Sequence, residues 1–183
     1  MKSRSTLTTQ RLFLRAFGES DVPAVGRLAD DIEIYRNTLK VPHPYTEADA
    51  RLWLSIQREQ SRAGTGVVFA ITGKDDRLLL GACGMELFTD HKRGELGYWL
   101  GRDFWGKGYA TEAAAAVVGW GFETLALNRI SAARFGDNPA SGRVLEKIGM
   151  TQEGVLRRHA FLDGVFKDMV MYGILREEWE GRR

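Results

Sequence analysis

The sequence predicts an α/β domain of the α+β kind: a mixed, mostly antiparallel, twisted sheet of about seven strands with helices packed on it. Three observations carry this expectation. Short apolar runs over Val67 to Thr72, Leu78 to Leu87 and Glu95 to Leu100 are separated only by Lys74-Asp75-Asp76 and by Thr89 to Gly94, the pattern of an antiparallel meander. The third run leads through a glycine-broken turn into an alanine-rich helix from about Ala110 to Leu125, and then into a strand over Arg129 to Phe135. Strand, helix and strand in that order make a parallel crossover. Near the C-terminus, Val155 to Leu162 and Val165 to Ile174 flank Asp163-Gly164, a strong hairpin signal.

The remaining elements follow in order. Arg11 to Phe17 alternates charged and apolar residues as a strand does, and Glu19-Ser20-Asp21 then starts a helix with Pro23 in its first turn. Asn37 to Tyr45, with Pro42-His43-Pro44, reads as an irregular loop. Thr46-Glu47-Ala48-Asp49 is a capping box opening a helix with Ala50, Trp53 and Leu54 on one side, ending near Gly64. Asn138 caps a further helix of about ten residues, with Pro139 at its first position and Gly149 as its stop. No internal repeat, linker or low-complexity tract interrupts this order, so one domain is expected over 1–183, with its core over about 9–176.

Composition narrows the function classes. A chain of 183 residues with 44% hydrophobic and 27% charged residues buries a core without disulfides or metal. A net charge of +2 is too small for a nucleic-acid binder, and Arg157-Arg158 and Arg182-Arg183 read as solvated surface. The single cysteine excludes an intrachain disulfide and zinc sites built from paired cysteines. His43, His91 and His159 are too scattered to suggest a metal site. The stretch Met1 to Gln10 is polar, and no apolar run approaches the ~18 residues that span a bilayer, so the expectation is a cytoplasmic protein with no membrane partner.

The most informative stretch is Trp105-Gly106-Lys107-Gly108-Tyr109-Ala110-Thr111, between the apolar strand and the alanine-rich helix. Its glycines allow close backbone approach, and the unpaired N–H groups at a helix start attract a phosphate or pyrophosphate. A dinucleotide fingerprint needs glycine or alanine where Thr111 stands, and no acidic residue ends a strand about twenty residues on. A nucleotide-hydrolysing P-loop needs Ser or Thr after its lysine, where Gly108 follows Lys107.

Trp105 to Ala110 at one helix start, followed by Asn138-Pro139-Ala140-Ser141 at a second, resembles the GNAT superfamily of acyl-CoA-dependent N-acetyltransferases. That family's pattern is Gln/Arg-x-x-Gly-x-Gly/Ala: Gly108 and Ala110 fill its small positions, and Trp105 replaces its polar first residue. The wording Phe-Trp-Gly-x-Gly-Tyr-Ala-Thr-Glu-Ala is similar to the RimJ/RimL-type branch, which acetylates ribosomal-protein N-termini. The likeness runs from Thr9-Gln10-Arg11-Leu12 through Pro44-Tyr45-Thr46 to the last hairpin.

The resemblance implies helices on both faces of the sheet and a splay between the fourth and fifth strands that admits acetyl-CoA. It implies that the backbone of Trp105, Gly106, Lys107, Gly108, Tyr109 and Ala110, with the Thr111 hydroxyl, receives the pyrophosphate, and that Trp99 and Leu100 pair through their backbone with the pantetheine arm. Asn138 is expected to contact the pantetheine or the adenosine side of CoA as well as capping its helix. Glu95, five residues before Leu100, stands where related enzymes place a catalytic glutamate, against the plain reading of a solvated carboxylate or salt-bridge partner.

Amide formation needs a neutral amine, a held oxyanion and a proton for the departing thiolate. Glu95 is the candidate base, through water, and a backbone N–H near Leu100 the candidate oxyanion donor. The tyrosine that many relatives carry seven residues after the capping asparagine is Leu145 here. Ser141 offers the nearest hydroxyl, unless it only bonds the helix backbone or water protonates the thiolate. Cys83, in an apolar strand, reads as core, as do the tryptophans and Phe104. The expected reaction is direct attack in a ternary complex by a protein N-terminal or small-molecule amine. The loop Thr38 to Tyr45 and the hairpin Val155 to Ile174 should form the acceptor walls. A homodimer is compatible with the resemblance, and the competing class is an acyl-CoA sensor without turnover.

Overall fold

The computed structural model describes residues 6–182. Met1 to Ser5 of the polar N-terminal stretch and Arg183 of the last basic pair lie outside the described residues. Eight strands form a sheet: β1 Leu7–Thr8, β2 Leu12–Arg15, β3 Gly66–Gly73, β4 Leu79–Phe88, β5 Arg93–Leu100, β6 Arg129–Phe135, β7 Thr151–Leu162 and β8 Val165–Leu175. Their order across the sheet is β1-β2-β3-β4-β5-β6-β8-β7. Among the described residues every neighbouring pair is antiparallel except β5 with β6. The helices are α1 Val22–Ala29, α2 Ile32–Arg36, α3 Glu47–Ala63, α4 Tyr109–Thr124, α5 Pro139–Lys147 and α6 Arg176–Glu180.

The expected strands, crossover and hairpin are all present, with three short additions. β1 folds back on β2, Leu7 facing Leu14, and makes eight strands rather than seven. Two residues carry no alternation to read, and the strand forms because the free edge of β2 offers unpaired backbone groups. α2 is five residues long, too short for a helical period, and is held by Asp31, whose side chain accepts from Glu33 N at 2.7 Å. α6 continues the chain beyond β8.

Sequence chemistry sets the longer helices. Thr46 and Asp49 close the capping box of α3, and Gly64 ends it at φ 73°. α4 and α5 cover one face of the sheet. Ala113, Ala114, Val117, Val118 and Phe122 of α4 and Leu145 of α5 pack with Phe69, Ile71, Cys83, Leu96 and Ile130. The two small alanines let α4 approach the strands closely, while Ala115 points outward. α1 and α3 cover the other face, where Val22, Val25, Ala50 and Leu54 meet Ala70 and Leu79.

Asp21 fastens the start of α1 to the end of β2. Arg15 donates to both its oxygens, Nη1 to Oδ2 at 2.7 Å and Nη2 to Oδ1 at 2.8 Å, and Gly18 N donates to Oδ2 at 2.8 Å. Burial pulls this carboxyl upward, but the Arg15 pair and the Gly18 N–H outweigh it and hold it below the ordinary aspartate value. Asp21→Ala leaves Arg15 partly buried without its partner and should cost about 3 kcal/mol in denaturant unfolding. Because the folded value is depressed, the contribution is complete above the unfolded pKa of ~4 and is lost as pH falls through the folded value. Asp21→Asn should therefore flatten the acid limb of the stability–pH curve below about pH 4.

Candidate active site

β5 and β6 run together for three rungs: Arg93 with Arg129, Gly94 with Ile130, and Glu95 with Ser131. Beyond Glu95 they part. β5 stays with β4 to the pair Leu100–Gly81, and β6 stays with β8 to the pair Phe135–Met169. Two hydrogen bonds keep the end of β5 on its own side: Gly101 N donates to Leu80 O at 2.9 Å, and the Trp105 indole donates to Leu100 O at 2.8 Å. The result is a wedge whose β5 edge, from Leu96 to the Leu100 N–H, has no partner strand and is able to take an extended ligand by strand addition, the Leu100 carbonyl being held by Trp105.

At the mouth of the wedge the chain turns into α4. Gly106 and Gly108 have φ of 71° and 80°, the left-handed region that favours glycine, and no side chain caps α4. The first intrahelical bond runs from Glu112 N to Gly108 O, so the N–H groups of Tyr109, Ala110 and Thr111 are free of intrahelical partners. A Cβ added at Gly106 meets nothing within 4 Å. Lys107 is exposed, with its ammonium 6.0 Å from the Phe104 ring centre. Trp105 is 41% exposed, a correction to the expectation of a core tryptophan. It stands at the wedge mouth because its ring N–H is committed to Leu100.

Sequence reasoning missed the brace behind this turn. The Glu112 carboxylate accepts from Thr9 Oγ1 at 2.6 Å, Arg11 N at 2.8 Å and Arg11 Nε at 2.7 Å. Arg11 Nη1 donates to Lys107 O at 2.9 Å, and its guanidinium lies 4.7 Å from the Tyr109 ring centre. Burial tends to raise the Glu112 carboxyl, but these donors together hold it below the usual glutamate range. Arg11 and Glu112 both belong to the quoted motifs, but nothing local in the sequence pairs residues so far apart.

The candidate catalytic residues fall on opposite faces of the sheet. Glu95 is exposed on the α1/α3 side, the face on which Trp99 packs against Trp53. Among the described residues no cation or hydrogen-bond donor engages its carboxylate, which removes the salt-bridge reading. Directly across the β4–β5 ladder stands Glu86, with Lys40 at 3.9 Å from it. Gly97, next along this face, leaves open space where a side chain would stand. On the α4/α5 side, Ser141 sits in the first turn of α5, its N–H held by Asn138 Oδ1 at 3.1 Å. Asn138 is thus the helix cap that its sequence suggested. The Ser141 hydroxyl is not spent on the helix backbone but lies 2.7 Å from the Tyr98 hydroxyl. Tyr98, also missed from sequence, alternates with Trp99 and so reaches the opposite face.

α2 is linked to the β7–β8 hairpin. Tyr35 of α2 donates to Asp163 Oδ1 at 2.5 Å in the β7–β8 turn, and Lys167 Nζ donates to Arg36 O at 3.3 Å. Beside that turn, Phe161 and Phe166 pack at 4.8 Å between ring centres and remain about 60% exposed. His43 stacks at 6.0 Å from Tyr35, with Nδ1 at 3.2 Å from Asp30. Leu145 and Cys83 are fully buried, and burial pushes the Cys83 thiol far up. Among the described residues no group of three metal-ligating side chains is assembled, and no helix is long and apolar enough to cross a membrane.

Comparison with known proteins agrees with this geometry. The model of the acetyltransferase (GNAT) domain matches residues 11–151. An uncharacterized N-acetyltransferase, p20, of Bacillus licheniformis is 33% identical over 96% of this chain and 99% of its own. The [ribosomal protein uS5]-alanine N-acetyltransferase of Escherichia coli is 27% identical over 94% and 92%. The structure of Mycobacterium smegmatis RimJ in complex with CoA-disulfide superposes with a TM-score of 0.87 at 24% identity, covering 96% of this chain and 89% of that one. With the parted strands, the glycine turn and the family match in agreement, the chain belongs to the GNAT acetyltransferases and is an N-acetyltransferase.

Proposed function

We propose that the enzyme transfers an acetyl group from acetyl-CoA to a primary amine, the α-amine of a protein N-terminus or a small-molecule amine, by direct attack in a ternary complex. The observation that carries this reading is the placement of Glu95 on the last rung before the strands part. An otherwise unengaged carboxylate there borders both the wedge and the acceptor face.

The residues present fit the cofactor. The left-handed Gly106 and Gly108, the open space at Gly106 and the uncapped start of α4 form a cradle for a pyrophosphate, and the unpaired β5 edge suits the amide-bearing pantetheine arm. Acetyl-CoA when bound supplies the activated acyl group, and binding along the wedge orients it. The chain's residues do the rest. Glu95 accepts the proton that the attacking amine loses, directly or through water. A backbone N–H near Leu100 faces the developing oxyanion. Ser141 is the proton donor or hydrogen-bond donor to the departing sulfur. A covalent acyl-enzyme is disfavoured because the one cysteine is fully buried. Glu86 beside Glu95 adds negative charge to the acceptor face, which attracts an ammonium group. That the E. coli relative acts on a ribosomal-protein alanine supports an N-terminal acceptor.

Three outcomes are expected. Glu95→Gln should lower kcat about a hundred-fold while leaving acetyl-CoA affinity near that of the parent, as read by steady-state kinetics and calorimetry. Equal turnover by the two forms would remove Glu95 from the mechanism. Gly108→Val places a branched residue at φ 80°, which costs roughly 1–2 kcal/mol, so acetyl-CoA affinity should fall about ten-fold. A thiol-release screen of N-terminal peptides, polyamines, amino acids and aminoglycosides should find turnover, strongest with N-terminal peptides. Tight acetyl-CoA binding with no release across the panel would instead support a sensor.

A further inference from the structure

Tyr98 stands on β5 beyond the last rung shared with β6, while Ser141 begins α5, the helix that follows β6. The bond between their hydroxyls therefore joins the two sides of the wedge across its floor. Tyr98 Oη lies 2.7 Å from Ser141 Oγ and 3.2 Å from Ser141 O. The Tyr98 proton thus has two acceptors, and the choice decides where the Ser141 proton points. If Tyr98 donates to the Ser141 carbonyl, the Ser141 proton is taken up by the Tyr98 oxygen and is lost to any ligand. If Tyr98 donates to Ser141 Oγ, the Ser141 proton is released toward the wedge. The Ser141 backbone does not move between these arrangements, because Asn138 holds its N–H.

We propose that Tyr98 is a positioning residue for the leaving group: by donating to Ser141 Oγ it turns the Ser141 hydroxyl toward the sulfur of CoA and strengthens it as a donor. This rests on the reading of the wedge as the acetyl-CoA site. As the new C–N bond forms and the C–S bond breaks, the electron pair stays on sulfur, and the amine proton leaves on the opposite face through Glu95. The chain Tyr98 O–H to Ser141 O–H to thiolate carries no net proton out of Tyr98. It stabilises the anion by two aligned hydrogen bonds, the one to sulfur charge-assisted, until solvent protonates the thiolate to the free thiol. A negative sulfur in the wedge is itself what favours the released arrangement.

The surroundings keep Tyr98 in its donor form. Burial pushes its hydroxyl up to about 12; the titratable and charged groups facing it are Cys83, Tyr172 and Arg134, and Glu146 is reached through Tyr172. At the pH where amines are acetylated, Tyr98 is therefore neutral and able to donate.

The experiment titrates the thiol of CoA bound to the full-length enzyme, by thiolate ultraviolet absorbance, in the parent, Tyr98→Phe, Ser141→Ala and the double variant. The parent should depress the thiol titration relative to free CoA. Ser141→Ala, which removes the direct donor, should raise it most, Tyr98→Phe should raise it by a smaller amount, and the double variant should go no further than Ser141→Ala, because Tyr98 acts only through Ser141. Turnover by Tyr98→Phe should fall roughly ten-fold with the acetyl-CoA and amine KM values within about two-fold. A tether that only holds α5 against β5 would leave the thiol titration unmoved. An unchanged titration in Tyr98→Phe, or additive shifts in the double variant, would overturn the proposal. Should Tyr98→Phe not fold, a fluorinated tyrosine at position 98, a stronger donor, should lower the thiol titration further, and no change overturns the proposal equally. A folded parent that binds no CoA would refute the cofactor reading and this inference with it. One that binds CoA without depressing its thiol refutes the inference alone.

Discussion

The three-rung ladder between β5 and β6 is the constraint on which the rest of the molecule depends. The pair is joined by a parallel crossover through α4, whereas β1 to β5 form an antiparallel run. The point where topology changes is also where each strand has a stronger claim elsewhere, β5 on β4 and β6 on β8. Strand twist accumulates between them, and the ladder ends at Glu95–Ser131. A longer ladder would satisfy the backbone of Leu96 to Leu100 internally and close the wedge. The short one leaves a polar edge at the carboxyl end of β5, beside the start of α4, which is the general location of ligand sites at topological switch points.

From that gap follows a division of labour between the two sheet faces. Side chains alternate along β5, so Glu95, Gly97 and Trp99 turn one way and Leu96 and Tyr98 the other. In the proposed mechanism, a carboxylate and a hydroxyl donor that must not satisfy each other are kept apart by the sheet, and they would address a common reacting centre only through the gap. The arrangement also explains why the brace by Arg11 and Glu112 sits where it does. The glycine turn has few side chains to hold it and must keep left-handed backbone at the edge of an open wedge. A charge-assisted cluster from β2, with Glu112 accepting three hydrogen bonds, fixes it from behind.

Periodicity and turn chemistry in the sequence carried the meander, the crossover, the last hairpin and the caps at Thr46, Asn138 and Gly64, because each is a local effect written in adjacent residues. The glycine turn was legible for the same reason. Short elements were not: β1, α2 and α6 owe their existence to neighbours rather than to internal pattern. Within the site, Glu95 and Ser141 were visible only by resemblance, and their placement on opposite faces needed the register. Tyr98 was hidden inside an apolar strand motif, where an aromatic residue ordinarily signals core. Its reach to Ser141, 43 residues on, is set by how α5 follows β6. Trp105 was misread as core because its indole serves a backbone carbonyl at the wedge mouth.

The wedge also bears on the acceptor. Attack requires a neutral amine, and whichever group removes the later proton, the supply of neutral amine is set by the acceptor's own equilibrium. With an α-amine near ~8 and a lysine amine near ~10.4, the neutral fraction at pH 7 differs by roughly 230-fold. In the proposed site, Glu95 and Glu86, the latter with Lys40 beside it, would concentrate cations of either kind but stabilise the protonated form of both, so they cannot by themselves overcome that difference. Selection for an α-amine therefore needs no dedicated pocket at the reacting centre. What the walls must supply is shape. Tyr35 and the β7–β8 turn tie one side, and the exposed Phe161 and Phe166 offer apolar contact area to residues that follow the reacting one. A free amino acid or polyamine would leave those rings uncovered, whereas a peptide would not, and this favours the N-terminus of a chain as the acceptor.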